Sequence, residues 1–351
     1  MTTDTSPAPS YGKRPQGGPF AFVGAFTGFY PAQAAEFSHL DPVTRFLYAS
    51  RSVILVISAQ AAIIAGLLAA TDRDFQVLPF ILLFVGYLVL HAISNLSNDY
   101  FGYRRGHDTP DSPRRRYTLH PIASGAVTPR LLVTGLAVLS VIAVAIAVYF
   151  IALRGWPAVI LTVVGAVLLY AYDAAPKALK ELGLGEVAAF LVWGPLMIGG
   201  GYYVITGHMA GLAYLASIPY GLGTASILIG KHIDQRQFDT SQDQRTLPVL
   251  LGEQGARALN RLVVVGMYVF TLVGILFGAL SPLAVLVLLA APRAIHALRV
   301  MATPAPAEPP AGYIGWPLWY HRVCLVHNRL FGWVFILGIA LGAFVPAWRI
   351  G

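Results

Sequence analysis

Nine long apolar runs restrict this chain to one class of fold. Each is close to the ~20 residues that an α-helix needs to cross the hydrocarbon core of a bilayer. Backbone groups inside lipid must find their hydrogen bonds within the same segment, so runs of this length predict membrane-spanning helices. The composition agrees, because 56% of the 351 residues are hydrophobic and only 11% are charged.

The runs predict an all-α polytopic membrane protein of about nine transmembrane helices. Eight is the alternative, because Pro292 and Arg293 interrupt the eighth run. The runs cover residues 52–71, 77–98, 131–153, 156–173, 185–206, 210–231, 259–280, 282–300 and 329–348.

The lysines and arginines predict how the chain is oriented in the membrane. When the N-terminus is placed in the cytoplasm, 21 of the 24 basic residues fall on the cytoplasmic side, and only Arg73, Arg154 and Arg349 fall outside. Cytoplasmic loops are enriched in Lys and Arg, so we predict an integral protein of the cell (inner or plasma) membrane with a cytoplasmic N-terminus. The formal net charge of +8 then reflects topology and an anionic ligand rather than nucleic acid, for which no recognition motif is visible.

The N-terminal residues 1–40 differ from the rest of the chain. They are polar, begin rich in Pro and Gly, and lack the basic-then-apolar layout of a signal peptide. We interpret them as a flexible tail, followed by a single transmembrane domain over residues 41–351. Residues 41–50 are interpreted as an interfacial helix that enters the first span.

A Pro-rich stretch at residues 304–317 precedes the last apolar run. It ends in Gly-Trp-Pro-Leu-Trp, which is typical of a loop at the membrane surface. We predict that it leads to a short interfacial helix, and that the ninth span begins only near residue 329. That helix holds His321, His327 and Asn328.

The second apolar run ends in a polar segment, Asn95-Leu-Ser-Asn98-Asp99-Tyr-Phe-Gly102. Helical spacing puts Asn95, Asp99 and Gly102 on one face, with Asn98 beside them. A carboxylate at a helix end near a bilayer is costly and usually faces a polar cavity. We therefore expect this face to line a site rather than to meet lipid.

More acids and several arginines follow within a few residues. Asp108 and Asp111 come after a break at Gly106. Carboxylates this close together repel one another unless they share a cation, and Mg²⁺ prefers such oxygen ligands. Guanidinium groups bind phosphate, so the segment indicates a magnesium diphosphate site. Its arginines are Arg104, Arg105, Arg114, Arg115 and Arg116.

The sixth run ends in a second acidic cluster, which contains Asp234, Asp239 and Asp243. It follows an even-numbered span, so it lies on the same side of the membrane as the first cluster. On a continuous α-helix Asp239 and Asp243 share a face, whereas Asp234 and Asp239 are about 140° apart. If the span instead ends near Asp234, a turn can bring Asp239 beside it. We favour this second arrangement.

The two clusters resemble the two aspartate-rich motifs of the UbiA family of intramembrane prenyltransferases. In the first, Asn98, Asp99 and Asp108 match, but Gly102 stands where the family has its second aspartate. In the second, counting back from Thr246 favours Asp239 as the family's second aspartate. The resemblance covers roughly residues 45–345 and is nearest to the branch that prenylates 1,4-dihydroxy-2-naphthoate, which has elements similar to Gly183-Leu-Gly-Glu186 and Tyr202-Tyr-Val-Ile-Thr-Gly207.

The resemblance implies a fold and a reaction. The fold is a helical bundle around a central cavity that opens to the cytoplasm and laterally to lipid. The reaction is Mg²⁺-dependent transfer of a polyprenyl group from its diphosphate to an aromatic acceptor, with 1,4-dihydroxy-2-naphthoate and menaquinone synthesis as the leading expectation. Oligomeric state is left open.

The resemblance also implies roles for particular residues. Asp99, Asp108, Asp234 and Asp239 form the expected catalytic set. The expected metal ligands are Asp99, Asp108 and Asp111 for one ion, and Asp234, Asp239 or Asp243 for another. The expected substrate-binding residues are Asn95, Asn98, Arg104, Arg105, Tyr172, Lys177, Lys231 and Arg236.

Two other functions are compatible with the same sequence features. One is a UbiA-type enzyme that acts on another aromatic or a lipid acceptor, sharing the motifs and differing only in its pocket. The other is a non-catalytic lipid-binding or transport homologue, which the glycine at position 102 keeps open. Magnesium-dependent release of diphosphate separates the enzymes from the binder.

Overall fold

A computed structural model describes residues 20–27, 39–106, 112–113, 120–125, 127–313 and 315–344. All regular secondary structure in these ranges is helical, and nine of the helices are long and apolar enough to cross a membrane. The all-α prediction with about nine spans is confirmed. The spans, numbered first to ninth below, are Ser52–Thr71, Val77–Arg104, Pro129–Arg154, Trp156–Asp173, Gly185–Thr206, Gly211–Ser241, Leu247–Leu276, Pro282–Val300 and Tyr320–Gly342.

The eighth span is complete, so the eight-span alternative is wrong. Its first half, Pro282–Ala290, is a 3₁₀-helix, and its second half, Ala291–Val300, is an α-helix. Pro292 lies in the first turn of that second half. Proline is tolerated there because the first turn of a helix has no intrahelical acceptor for its missing N–H.

Three spans have boundaries that differ clearly from the prediction. The sixth continues to Ser241 instead of ending at residue 231. The seventh span begins at Leu247 rather than at residue 259, and it carries a kink at Gly252, where φ is +70°. The ninth span begins at Tyr320, so the predicted short interfacial helix is part of it. Its polar residues His327 and Asn328 are buried between helices, each only 1% exposed, and therefore do not meet lipid.

The N-terminal region contains two short helices. Pro42–Ala49 is helical, as predicted for residues 41–50, and the Asp41 carboxylate caps it by accepting from the backbone N–H groups of Val43 and Thr44 at 2.9 and 3.0 Å. Residues Val23–Thr27 also form a helix within the segment expected to be a flexible tail. The rest of that segment, residues 1–19 and 28–38, lies outside the described residues.

The spans differ in how deeply they are buried. The third and fourth lie at the periphery, and only Leu132 and Phe150 of the third are buried. The fifth and sixth form the centre, where their backbones approach at Gly194 and Gly221, and a Cβ atom on Gly194 would lie 3.2 Å from the Gly221 Cα. Small residues at such crossings let membrane helices pack closely.

A cavity of about 820 Å³ lies inside the bundle. Side chains of the first six spans and the ninth line it, and most of them are apolar. Polar residues gather at the end where the second, fourth and sixth spans terminate. The fold therefore joins a long apolar chamber to one charged end.

Candidate active site

Asp99 lies in the last turns of the second span and is completely buried. Its carboxylate forms an ion pair with the guanidinium of Arg51, which also donates to the Asn98 Oδ1 at 3.4 Å. Arg51 joins the N-terminal helix to the first span and has a left-handed backbone, with φ of +56°. Asn98 and Asp99 of the first motif therefore contact a cation that lies 47 residues before Asn98 in the chain.

A second acidic group faces Asn98 from the fourth span. The Asn98 amide donates to the Asp173 Oδ1 at 2.6 Å, and the Lys180 ammonium donates to the same oxygen at 2.7 Å. Asp173 is 1% exposed, so this carboxylate is removed from water but paired. Asn98 therefore connects the carboxylate of Asp173 to the Arg51–Asp99 pair.

The fifth and sixth spans are joined by a buried pair. His232 Nδ1 and Glu186 Oε1 lie 2.6 Å apart, and both side chains are almost fully buried. The second oxygen of Glu186, Oε2, is buried without a hydrogen-bond partner in the part of the chain that the structure describes. This leaves one buried carboxylate oxygen that no described residue satisfies.

The second acidic cluster is arranged differently from the favoured interpretation. The sixth span is helical through Ser241, so the prediction that it ends near Asp234 is wrong. Asp234 instead accepts from the backbone N–H groups of Tyr320 and His321, at 2.9 Å each, at the start of the ninth span. Backbone N–H groups at a helix start have no intrahelical acceptor, and a carboxylate satisfies them well.

Asp239 and Asp243 lie in different surroundings. Asp239 is 3% exposed and accepts from the Thr246 hydroxyl at 3.2 Å. Asp243 is exposed, lies beyond the helix end and has φ of +53°. The two carboxylates therefore do not share a face of one helix.

Lys231 lies near charged groups from several segments of the chain. It lines the cavity and lies within electrostatic range of Asp173 and Asp239, as well as of Arg51 and Lys180. The ends of the second, fourth and sixth spans therefore converge on one charged region.

The remaining predicted residues fall into three groups. Asn95 and Tyr172 line the cavity, and the Asn95 amide also donates to the Ser50 carbonyl at 2.9 Å. Arg105 holds the loop after the fourth span, donating to the carbonyl oxygens of Ala174 and Ala175 at 3.0 and 2.5 Å. Arg104 and Lys177 are exposed, Arg236 lies 3.9 Å from Glu253, and Asp108 and Asp111 lie outside the described residues.

Several site residues were missed by the sequence reasoning. Asp173 carries the same signal as Asp99, an acid at the end of an apolar run, but it is not among the predicted site residues. Arg51 precedes the first run and contributes to the prediction only through its positive charge. Nothing in the local sequence indicates that His232 pairs with Glu186, which is 46 residues away.

A magnesium ion fits this residue set if the substrate completes its coordination. Within the described ranges, no group of three His, Cys, Asp or Glu side chains could hold a metal by itself. Mg²⁺ usually takes one or two protein carboxylates and keeps water or substrate phosphates as its other ligands. Buried Asp99 and Asp239, with the unpaired Oε2 of Glu186, meet that need.

Comparison with known proteins agrees with this architecture. Residues 59–323 match the UbiA prenyltransferase family. The 1,4-dihydroxy-2-naphthoate octaprenyltransferase of Bacillus subtilis (strain 168) is 24% identical over 250 residues, covering 71% of this chain and 79% of that protein.

Solved structures share the fold. A UbiA homolog from Aeropyrum pernix K1 superposes with a TM-score of 0.59 and 20% identity, over 81% of this chain and 97% of that one. A UbiA homolog from Archaeoglobus fulgidus, bound to GPP and Mg²⁺, gives a TM-score of 0.50 and 14% identity, over 84% of this chain and 99% of that one. The family match spans well over half of the chain. The chain therefore belongs to the UbiA prenyltransferase family and is a membrane prenyltransferase.

Proposed function

We propose that this protein transfers a polyprenyl group from its diphosphate to 1,4-dihydroxy-2-naphthoate, a step of menaquinone synthesis. The observation that carries the proposal is the 820 Å³ cavity with apolar walls and one charged end. A polyprenyl diphosphate has the same division, because its chain is apolar and its head is anionic. The naphthoate acceptor is supported by the Bacillus subtilis relative.

The charged end suits a leaving diphosphate. Lys231 lines the cavity there, and Arg51 and Lys180 are close to it. These cations stabilise the negative charge that develops as the bond between the prenyl carbon and the diphosphate oxygen breaks. Fixed cations need no reorganisation at that moment, which makes their contribution larger than that of water.

Magnesium is the proposed cofactor, supported by the fold shared with the homolog bound to GPP and Mg²⁺. When bound, it neutralises the diphosphate and helps it to leave. We propose that Asp99 holds it from the second span, and that Asp239 holds it from the sixth. Asp108 and Asp111 remain proposed ligands on the segment outside the described ranges.

The cavity walls serve the second half of the reaction. Loss of diphosphate leaves an allylic cation, and an electron-rich ring carbon of the acceptor then bonds to it. The ring becomes aromatic again when that carbon releases the group it carried, a proton or, at the carboxylate-bearing carbon, CO2. Tyr172 faces the cavity, and an aromatic face attracts a nearby cation. The apolar lining keeps out water, which would otherwise capture the cation.

The proposed orientation places the N-terminus and this charged end in the cytoplasm. It rests on the excess of Lys and Arg in the loops that join the even-numbered spans to the next. Diphosphate donors made in the cytoplasm then reach the charged end directly, while their chains lie among the spans.

The test is a direct assay on the purified chain. We expect inorganic diphosphate and a prenylated product to form from 1,4-dihydroxy-2-naphthoate and a polyprenyl diphosphate, with the product mass showing whether a proton or CO2 was released. Chelation of Mg²⁺ should stop the reaction, and added Mg²⁺ should restore it. Diphosphate release with other aromatic or lipid acceptors but not with the naphthoate would refute the proposal that the naphthoate is the acceptor. No release with any acceptor would favour a non-catalytic binder.

A further inference from the structure

Arg329 is a charged residue inside a membrane span. It lies in the ninth span, Tyr320–Gly342, and its side chain lines the cavity. Charged side chains within spans are costly, and they almost always pair with another group or face a functional cavity. Its position therefore calls for an anionic partner.

The protein itself does not supply that partner within the described residues. There, the guanidinium of Arg329 makes no hydrogen bond, and outside its own helix only its backbone oxygen does, accepting from the Gln60 amide at 3.1 Å. No carboxylate in those ranges forms an ion pair with its guanidinium. By contrast, Arg51 pairs with Asp99, and Arg322 stacks 4.7 Å above the Tyr313 ring.

Arg329 lies deeper in the membrane than the charged end of the cavity. Asp234 contacts Tyr320, so the start of the ninth span is level with the second acidic cluster. Nine residues of α-helix carry Arg329 about 13 Å deeper than Tyr320. Helical side chains lean toward the helix N-terminus, so its guanidinium extends back toward the charged end. It lies between that end and the apolar chamber, where the acceptor ring must meet the donor.

The chemistry of the guanidinium identifies the ligand class. Its planar fork matches a carboxylate with two parallel hydrogen bonds. The prenyl chain has no charge, and the cations at the charged end already serve the diphosphate. We propose that Arg329 binds the carboxylate of an aromatic acid acceptor and so selects aromatic acids over the corresponding phenols. This specificity role rests on the proposed function.

The test compares binding of two probes to the full-length protein with Mg²⁺ present. 1-Hydroxy-2-naphthoate carries the carboxylate, and 1-naphthol lacks it; inorganic diphosphate serves as a third probe. We expect the unchanged protein to bind the naphthoate about 10- to 100-fold more tightly than the naphthol. Arg329→Gln should remove that preference, and Arg329→Lys should retain part of it. Naphthol and diphosphate affinities should stay unchanged in both variants.

Arg293→Gln is the control, because Arg293 also lies in a membrane span, the eighth, but is exposed and is not among the residues that line the cavity. It should keep the naphthoate preference. The proposal is overturned by equal binding of the two naphthalene probes to the unchanged protein, a measurement that needs no variant to fold. It is also overturned if Arg329→Gln weakens only diphosphate binding, because Arg329 would then contact the prenyl diphosphate and not the acceptor. Binding is measured without turnover, so an absence of prenyl transfer would refute the proposed function and leave this result standing.

Discussion

At the scale of single residues, Asp99 and Asp234 are held by different kinds of partner. Asp99 faces the guanidinium of Arg51, whereas Asp234 faces two backbone N–H groups of the ninth span. Replacing Asp99 therefore leaves a charge unpaired, and replacing Asp234 leaves only a helix start less well capped. The two substitutions should have different consequences.

Asp99→Asn should reduce prenyl transfer by about 100-fold or more. It should also lower stability by about 2 kcal/mol, less than for a fully buried pair because the Arg51 side chain remains 22% exposed. The double variant Asp99→Asn with Arg51→Gln should recover the stability but not the transfer. Thermal unfolding in detergent and product formation measure the two effects. Normal turnover in Asp99→Asn would remove the proposed first metal site.

Asp234→Asn should keep transfer within a few-fold of the unchanged protein, because Asn caps a helix nearly as well as Asp. Asp234→Ala should cost about 1 kcal/mol of stability.

Asp239→Asn should lower transfer by about 100-fold or more and raise the Mg²⁺ requirement. The exposed Asp243 provides the control, since Asp243→Asn should be silent. The measurement is prenyl transfer by all four variants across a range of Mg²⁺ concentrations. Loss of transfer in Asp234→Asn would mean that Asp234 contacts the metal.

At the scale of the helices, close crossings depend on glycine. A Cβ atom on Gly221 would lie 2.8 Å from the Phe190 carbonyl oxygen and 3.0 Å from the Gly194 Cα. Gly221→Ala should therefore force the fifth and sixth spans apart and cost about 1–3 kcal/mol. Gly211→Ala is the control on the same helix, since nothing lies within 4 Å of its added Cβ. Equal melting temperatures for the two variants would contradict the close contact.

The direction of the spans can be tested by labelling. Ser241 is the last residue of the sixth span, and Arg73 lies in the turn after the first; both are exposed. The only cysteine of the chain, Cys324, is buried. In a Cys324→Ala background, Ser241→Cys should react with a membrane-impermeant reagent only from the cytoplasm. Arg73→Cys should react only from the other side. The reverse pattern would overturn the proposed orientation.

At the scale of the whole molecule, the volume of the cavity limits the prenyl chain. Gly165 of the fourth span lines the cavity, and nothing lies within 4 Å of an added Cβ. Gly165→Phe should therefore insert a ring into the chamber and shift donor preference toward shorter diphosphates by about tenfold. The control is Val163→Phe, because Val163 is on the same helix and 54% exposed on its outer side. Competition between short and long donors, read by mass spectrometry, measures the shift. An unchanged donor preference would mean that the prenyl chain does not lie beside Gly165.

The sequence by itself determined the fold class and where the charged end lies. A membrane span is a local property, because about 20 apolar residues must satisfy their own backbone hydrogen bonds. Its signal is therefore complete within one window, and the bounds of the first, fourth, fifth and eighth spans were predicted without error. An acid such as Asp99 at the end of an apolar run is equally local. The ninth span was misplaced because its polar residues, including His327, face other helices rather than lipid.

Only the tertiary structure decided which side chains meet. Asp99 pairs with a residue 48 positions earlier, and Asn98 with one 75 positions later. Asp234 lies in an acidic motif, yet it caps a helix that begins 86 residues further on. Contacts of this kind depend on how separate spans pack around the cavity, and packing is set by the shapes of all the helices together. For that reason no window of the sequence contains them.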